Sequence, residues 1–287
     1  MFDSSPFPDI KAEKTLKPTI PVIRLAILDM YNGAPNMGMK NILDMLDLQV
    51  YPFTWDRFDI RGANQLPGMD YDIFISSGGP GDPREGDGIW DRNYFRLIDE
   101  IWEWNKYNKR KKYVLFICHS FQMFCLHFKL GEVTRRHSTS FGILPMHKTN
   151  AGKADPIFHK LPDPFYAADH RDYQLVQPNL DVFQKFGAKI LCLEKIRDHV
   201  DYERAIMAVR LSDEFFGTQF HPEADPIGLY DYYSNPELYD KAVANYGKKK
   251  VDETIAQIHE PYKVSLTNKV VIPTFLKSAI ESLFKSQ

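Results

Sequence analysis

The spacing of apolar residues along the chain changes character at about residue 130. Before that point, short apolar runs typical of buried strands alternate with segments in which apolar residues recur at helical spacing. The predicted strands cover residues 22–29, 48–53, 71–76 and 112–117, and the predicted helices cover 39–46, 89–107 and 121–130. Such alternation is typical of a doubly wound α/β protein, in which a mostly parallel sheet is flanked by helices.

After residue 133 the pattern indicates a different kind of sheet. The β-prone runs at 188–193, 205–210 and 215–220 are short and are separated by polar turns. Strands that follow one another without long helices favour antiparallel pairing. We therefore expect an α/β fold with an added antiparallel portion and a C-terminal helix at 270–283.

Two segments fall outside this pattern. Residues 1–21 carry Pro6, Pro8, Pro18 and Pro21 among mixed charges, which predicts an N-terminal arm on the surface. Residues 22–287 are predicted to form a single domain, and the Tyr-rich residues 225–269 to form a helical insertion within it. Such an insertion is a lid over the site, a contact in a homo-oligomer or a surface decoration.

Composition narrows the function classes. The 287 residues include 44% hydrophobic and 26% charged residues, with a formal net charge of -2. This balance gives no electrostatic reason to expect nucleic acid or a membrane as a partner. No apolar run approaches the roughly 20 residues of a membrane span, and the N-terminus has no signal-peptide pattern.

Cysteine usage points to a reducing environment. Cysteine occurs at positions 118, 125 and 192, and these positions form no Cys-x-x-Cys pair. This usage argues against a disulfide scaffold and against a zinc site. We expect a cytoplasmic protein without a metal or another cofactor.

Cys118 is the main candidate for a catalytic residue. It follows the apolar run 113–117 and precedes a helical pattern, so it is predicted at a strand-to-helix turn. The first amides of the helix then favour thiolate over thiol. The alternative is a buried structural cysteine, which is the role that we predict for Cys125 and Cys192.

Two further motifs lie on either side of Cys118. Ile75-Ser76-Ser77-Gly78-Gly79-Pro80-Gly81-Asp82-Pro83 lies upstream, and Gly217-Thr218-Gln219-Phe220-His221-Pro222-Glu223 lies downstream. With the cysteine turn, in this order, they resemble the three signatures of the class I glutamine amidotransferases, the family of the GMP synthase glutaminase domain. The resemblance spans about residues 22–224 and implies a flavodoxin-like sheet. The glycine loop also resembles that of ATP pyrophosphatases, but Gly81 stands where that loop needs aspartate.

The resemblance implies hydrolysis of glutamine to glutamate and ammonia through a thioester on Cys118. Such a reaction needs a nucleophile, a base that later protonates the ammonia, and donors for the oxyanion. His221 and Glu223 are two residues apart in an extended segment, so their side chains lie on one side and the carboxylate can orient the imidazole. The resemblance assigns the oxyanion hole to the backbone amides of Gly79 and His119, and substrate binding to Gly81, Gln122, Arg171 and Asp172.

The cysteine turn departs from the family pattern Gly-x-Cys-x-Gly-x-Gln. Phe116 and Ser120 stand in the glycine positions, and His119 is atypical as well. Phe116 is expected to crowd the turn and so to alter the pocket or reduce activity. His119 would either lower the pKa of the thiol or form a hydrogen bond at the rim.

Three functions are compatible with these residues. The first is a glutaminase-type enzyme that passes ammonia to a separate synthetase partner, because the chain has no Walker loop and no synthetase-sized region. The second is a γ-glutamyl hydrolase or acyltransferase in which the insertion shapes the acceptor site. The third is a protein that binds the small molecule but has reduced turnover. Ammonia release from glutamine separates the first function from the other two.

Overall fold

Residues 22–49, 51–196 and 203–286 are described by a computed structural model. The predicted N-terminal arm, residues 1–21, lies outside the described residues. In the described part of the chain one sheet contains all nine strands. In chain order these are β1 (Ile23–Asp29), β2 (Phe53–Asp59), β3 (Ile73–Ser76), β4 (Tyr113–Ile117), β5 (Glu132–Lys148), β6 (Phe165–Val176), β7 (Lys189–Glu194), β8 (Ile206–Arg210) and β9 (Phe215–Thr218).

The helices are short, apart from two. In chain order they are α1 (Met37–Asp47), α2 (Ile60–Ala63), α3 (Trp90–Tyr107), α4 (His119–His127), α5 (Asn150–Ala154), α6 (Leu180–Phe186), α7 (Pro226–Ser234), α8 (Pro236–Tyr246), α9 (Lys248–Ile258) and α10 (Val264–Lys285). None of the described helices has the length and apolar character needed to cross a membrane.

One half of the sheet is parallel. Strand β1 pairs in parallel with β2 and β3, β3 pairs with β4, and β4 pairs with β9. Successive residues of β1 enter different apolar clusters: Leu25 and Ile27 lie in one with α1 and α10, whereas Ala26 and Leu28 lie in another with α3 and α4. The parallel half is therefore buried on both faces, as its nearly unbroken apolar runs require.

The other half is antiparallel and is larger than the sequence pattern suggests. Strand β9 pairs with β8, and β8, β6, β5 and β7 pair in a closed cycle that forms a small barrel. The prediction of a mostly parallel sheet therefore needs correction, because the two modes of pairing are about equally represented. The long strands β5 and β6 were missed because exposed and buried positions alternate along them, so they contain few continuous apolar runs.

Two further local features stand out, a displaced strand and a partly buried basic run. The predicted strand at 48–53 is displaced, because β2 begins at Phe53 and exposes alternate residues at the edge of the sheet. The basic run 109–112 is not a fully solvated turn, because Lys112 is only 3% exposed. Its Nζ donates to the carbonyls of Met69 and Tyr71 at 2.7 and 2.6 Å, and burial lowers its pKa.

Residues 225–269 contain α7, α8 and α9 and the first turns of α10. We call α7 to α9, residues 226–258, the helical cover. It rests on β5 and β6: the rings of Phe141 and Tyr246 stack at 4.0 Å, and the Tyr246 hydroxyl bonds His170 Nε2 at 2.8 Å. The cover thus lies over the edge of the sheet that carries His221 and Glu223.

Candidate active site

Cys118 lies at a strained turn between β4 and α4. Its backbone angles are φ 51° and ψ -100°, which a residue with a side chain rarely adopts and which cost about 1–3 kcal/mol. The Cys118 amide donates to Thr218 O at 2.8 Å, and its carbonyl accepts from Gln122 N at 3.0 Å. The turn is therefore held on both sides, as a nucleophile that must stand above a sheet requires.

Ser120 stabilises the same turn by hydrogen bonds. Its hydroxyl accepts from the Ile117 amide at 3.0 Å and donates to Ser76 O at 2.7 Å, and the residue is fully buried. These bonds link β4 to β3 beneath the nucleophile. At this position, where the family pattern has glycine, the serine therefore contributes contacts to the turn.

Phe116 packs away from the nucleophile. Its ring stacks on Phe124 at 4.4 Å, and its register partner on β9 is Gly217. A Cβ atom on Gly217 would lie 3.3 Å from the Phe116 Cβ and 2.7 Å from the Phe121 ring. The absence of a side chain at Gly217 therefore leaves room for both phenylalanines. Phe116 therefore does not cover the Cys118 sulfur, which lies 3.8 Å from His170 O.

His221 is held in place by a buried carboxylate. Its Nδ1 lies 2.7 Å from Glu223 Oε1, Glu223 is 1% exposed, and the His221 amide donates to Ala168 O at 2.9 Å. Burial lowers the pKa of His221, but Glu223 first and then Cys118 outweigh it and raise the pKa well above the usual value. The arrangement favours an imidazolium between a sulfur and a carboxylate, which is the polarity that a cysteine nucleophile needs.

The glycine loop after β3 meets these residues at Gly78. A Cβ atom on Gly78 would lie 3.0 Å from His221 Cε1, 3.0 Å from the Tyr31 hydroxyl and 3.6 Å from Cys118 Cβ. Gly78 therefore leaves room for the imidazole beside the nucleophile, a role that the sequence motif did not assign to it. At Gly79 a Cβ atom would instead strike the carbonyl of Met30, so the need for glycine there comes from the backbone just after β1.

Tyr31 and Arg61 are site residues that sequence reasoning missed. Burial, followed by Glu223 and Cys118, raises the pKa of Tyr31 well above its usual value, so its phenol stays protonated beside the pair. Arg61 donates to the carbonyls of Met30 and Pro80 at 3.2 and 2.6 Å and so ties the glycine loop to α2. Both follow strands at the same edge of the sheet as Cys118, which is the signal that could have identified them.

His119 is buried and neutral. Burial above all, and then the charge of Arg61, lowers its pKa to about 3, and its Nε2 has no hydrogen-bond partner among the described residues. A neutral imidazole provides no positive charge to lower the pKa of the thiol, so the first role expected for this side chain is wrong. Because its Nε2 is buried without a partner, the second role, a hydrogen bond at the rim, is not formed either.

Gln122 is linked to Cys118 through a second glutamine. Gln122 Nε2 donates to Tyr173 O at 3.1 Å and to Gln219 Oε1 at 2.9 Å. Gln219 Nε2 in turn lies 3.7 Å from the Cys118 sulfur. Gln219 belongs to the downstream motif, but its contact with the sulfur was not predicted.

Arg171 and Asp172, the residues predicted to bind the substrate, lie in different surroundings. Arg171 is 4% exposed and bonds Asp169 at 3.0 Å and Tyr173 O at 3.2 Å inside the antiparallel half. Asp172 is exposed and accepts from Thr139 Oγ1 at 2.5 Å. The neighbouring residues Asp169 and His170 line the cavity beside His221. The burial of Arg171 argues against a direct contact with substrate, and the role of the exposed Asp172 stays a prediction.

A hydrogen bond joins the glycine loop to β6. The Tyr173 hydroxyl donates to Asp82 Oδ2 at 2.9 Å, and Asp82 also pairs with Arg84. The hydrogen bond from Arg84 lowers the pKa of the Asp82 carboxyl well below its usual range. Gly81, which precedes Asp82, has φ 93° and therefore needs to be glycine for conformational reasons.

A cavity of about 510 Å³ begins at the imidazole of His221. Its floor includes Tyr31, His170 and Glu223, one wall comes from residues 141–143 of β5, and its roof is the helical cover. Among the described residues, no group of three or more His, Cys, Asp or Glu side chains is arranged as metal ligands would be.

Comparison with known proteins identifies the class of protein to which this fold and site belong. The model of the family "Glutamine amidotransferase class-I" matches residues 27–228, which is most of the chain. The chain therefore belongs to the class I glutamine amidotransferase family, whose members hydrolyse glutamine and pass the ammonia to partners. A search of the curated proteins found no match.

Several solved structures share the fold. A glutamine amidotransferase from Thermotoga maritima is 16% identical, with a TM-score of 0.63 over 91% of this chain and 97% of that chain. A glutamine amidotransferase from Methylobacillus flagellatus is 15% identical, with a TM-score of 0.57 over 90% and 94%. A putative GMP synthase subunit from Thermoplasma acidophilum is 16% identical, with a TM-score of 0.51 over 71% and 86%. At these identities the likeness concerns the fold alone.

Proposed function

We propose that this chain is an amidohydrolase that cleaves the side-chain amide of glutamine through a thioester on Cys118. One observation carries the proposal: His221 is held by Glu223 at 2.7 Å beside a cysteine at a strained strand-to-helix turn. An imidazole with these two neighbours can take the thiol proton and keep it for the leaving nitrogen.

The reaction proceeds in two balanced steps. The Cys118 sulfur attacks the amide carbon, the C–N bond breaks, and the nitrogen leaves as ammonia with the proton from His221. A water molecule, deprotonated by His221, then attacks the thioester and releases glutamate and the cysteine. In both steps the backbone amides of His119 and Gly79 are the proposed donors to the oxyanion.

The proposed place for the amino-acid part of the substrate is between the glycine loop and β6. Tyr173 and Asp82 join these two segments by a hydrogen bond of 2.9 Å, and Gln122 Nε2 donates to Tyr173 O at 3.1 Å beside them. Gly81, Gln122 and the exposed Asp172 are the residues proposed to line this subsite.

The ammonia is proposed to pass to a separate synthetase. The similarity to a putative GMP synthase subunit supports a partner of this kind. A homo-oligomer and a cytoplasmic location stay predictions.

Labelling with a diazo-ketone analogue of glutamine tests the proposal. The analogue should alkylate Cys118 and stop ammonia release from glutamine, as measured by mass spectrometry of the peptides and a coupled ammonia assay. Cys125→Ala and Cys192→Ala are the matched controls, because both cysteines are buried in apolar clusters and should not affect labelling. Binding of glutamine with neither labelling nor ammonia release would instead favour the protein with reduced turnover.

A further inference from the structure

The cavity beside His221 is far larger than the departure of ammonia requires. Ammonia is about the size of water, which occupies about 30 Å³ in the liquid. The cavity measures about 510 Å³ and falls within the range of about 300–1,000 Å³ typical of small-molecule sites. The cavity is therefore large enough to hold a group much larger than ammonia.

The walls of the cavity suit an apolar or aromatic group. Phe141 stacks on Tyr246 at 4.0 Å and meets Tyr233 edge-on at 6.5 Å, and all three rings line the space. Ile143 and Ala242 also line it. Aromatic rings and aliphatic side chains at such spacing recognise flat apolar groups by burial and edge contacts.

The position of the cavity matches the leaving group. In the proposed reaction His221 protonates the departing nitrogen, so that nitrogen must lie next to the imidazole. His221 and His170 line the cavity, and His170 O lies 3.8 Å from the Cys118 sulfur. Cys118 itself is not among the lining residues, so the cavity begins at the imidazole that protonates the departing nitrogen and extends under the helices of the same chain.

We infer that the substrate is a γ-glutamyl amide whose amine part carries an apolar group of aromatic size, and that the cavity beneath the helical cover holds that part. The inference rests on the proposed thioester chemistry of Cys118 and His221. It replaces glutamine by a substituted amide as the preferred substrate, and ammonia by a free amine as the product. The sulfur forms the thioester with the γ-carbon, the C–N bond breaks, and the amine departs with the proton from His221. Water then cleaves the thioester, so the products are glutamate and a free amine.

Two amides that differ only in the leaving group test the inference. The probes are glutamine and γ-glutamyl-phenethylamide, and the readouts are kcat/KM with the native protein and calorimetric Kd with Cys118→Ala. Burial of the phenyl group should favour the phenethylamide by about tenfold or more in both readouts. Equal values for the two amides in both readouts would overturn the inference.

A second experiment tests the inference with variants that fill the cavity. Ala242→Phe places a ring in the cavity and should reduce the preference for the phenethylamide by about tenfold. Leu229→Trp, also on the lining, is the second filling variant in case Ala242→Phe does not fold. Ala244→Phe on the same helix is exposed and should keep the native preference. A filled variant that folds and keeps that preference would contradict the inference.

Failure of the proposed function gives a different result. In that case neither amide is hydrolysed and the diazo-ketone does not label Cys118. The two Kd values measured with Cys118→Ala still decide whether the cavity binds the amine part.

Discussion

The active-site turn and the helical cover meet at His221 but are built in different ways. At the turn, Cys118, Ser120 and Gln122 are buried, and their polar groups bond to β3, β6 and β9. In the cover, α7 buries no residue along its length, α8 buries only Ala242, and α9 buries Val251, Thr254 and Ile258. The apolar cluster that joins the cover to the sheet contains four buried residues.

This difference separates the proposed chemistry of Cys118 from the proposed choice of substrate. Buried hydrogen bonds hold the nucleophile in one geometry, since each bond left unmade costs about 1–3 kcal/mol. The cover has few buried contacts, so its residues can change without loss of the sheet. The following changes test this contrast, from the largest expected effect to the smallest.

Cys118→Ala should abolish turnover and leave the fold intact. The change removes the atom that forms the thioester but only a small buried volume, so activity should fall by several orders of magnitude. Ammonia or amine release and the melting temperature are the measurements. Turnover that survives in a folded variant would exclude covalent catalysis by this residue.

Glu223→Gln should lower kcat by about a hundredfold to ten-thousandfold, because the amide no longer stabilises the imidazolium. Burial lowers the pKa of His221, and Glu223 and Cys118 raise it to a net value above the usual one. Groups that raise a pKa stabilise the folded state at low pH, and this stabilisation is lost as pH rises through the raised pKa. The native protein should therefore lose more stability than the variant on going from below pH ~6.5 to alkaline pH.

Unfolding free energies across that pH range, measured by denaturant titration, check the second prediction. Glu237→Gln on the exposed start of α8 is the control and should follow the native curve. Parallel curves for the native protein and Glu223→Gln would show that Glu223 does not set the pKa of His221.

The same contrast explains how far the sequence could predict the molecule. The motifs around Cys118, Gly78 and His221 are contiguous, and each follows an apolar strand of the parallel half, so their neighbourhood follows from topology. The antiparallel strands alternate in polarity and pair over long distances, so β5 and β6 were missed. The burial of Arg171 could not be predicted either, because burial in an ion-pair network is a property of three-dimensional packing.

The cavity was the least predictable feature. Its floor comes from β1, β6 and the segment after β9, and its roof from α7 to α9, so no continuous stretch of sequence encodes it. The Tyr-rich composition of 225–269 indicated a pocket or an interface but not which of the two. Phe116 was expected from the sequence to disrupt the turn, but Gly217 on the neighbouring strand β9 leaves room for it.

Ser120→Ala should destabilise the protein by about 1–3 kcal/mol, because the buried amide of Ile117 loses its acceptor. The strained angles of Cys118 should then be less well held, and labelling by the diazo-ketone should slow. Denaturant unfolding and the labelling rate are the measurements, with Ser278→Ala, which is exposed on α10, as the control. An unchanged unfolding free energy would mean that the turn does not depend on the hydroxyl.

Tyr246→Phe should have the smallest effect and should act on the cover alone. The change removes the hydroxyl that bonds His170 Nε2 at 2.8 Å but keeps the ring on Phe141, so the loss of global stability should stay below about 1 kcal/mol. Hydrogen exchange in α8 and α9 should nevertheless speed up, because this bond joins the cover to β6. Tyr239→Phe is the matched control: its hydroxyl bonds Asp252 at 2.7 Å within the cover, so its loss should leave the junction with the sheet unchanged. Equal exchange rates in the two variants would show that the Tyr246 contact does not hold the cover on the sheet.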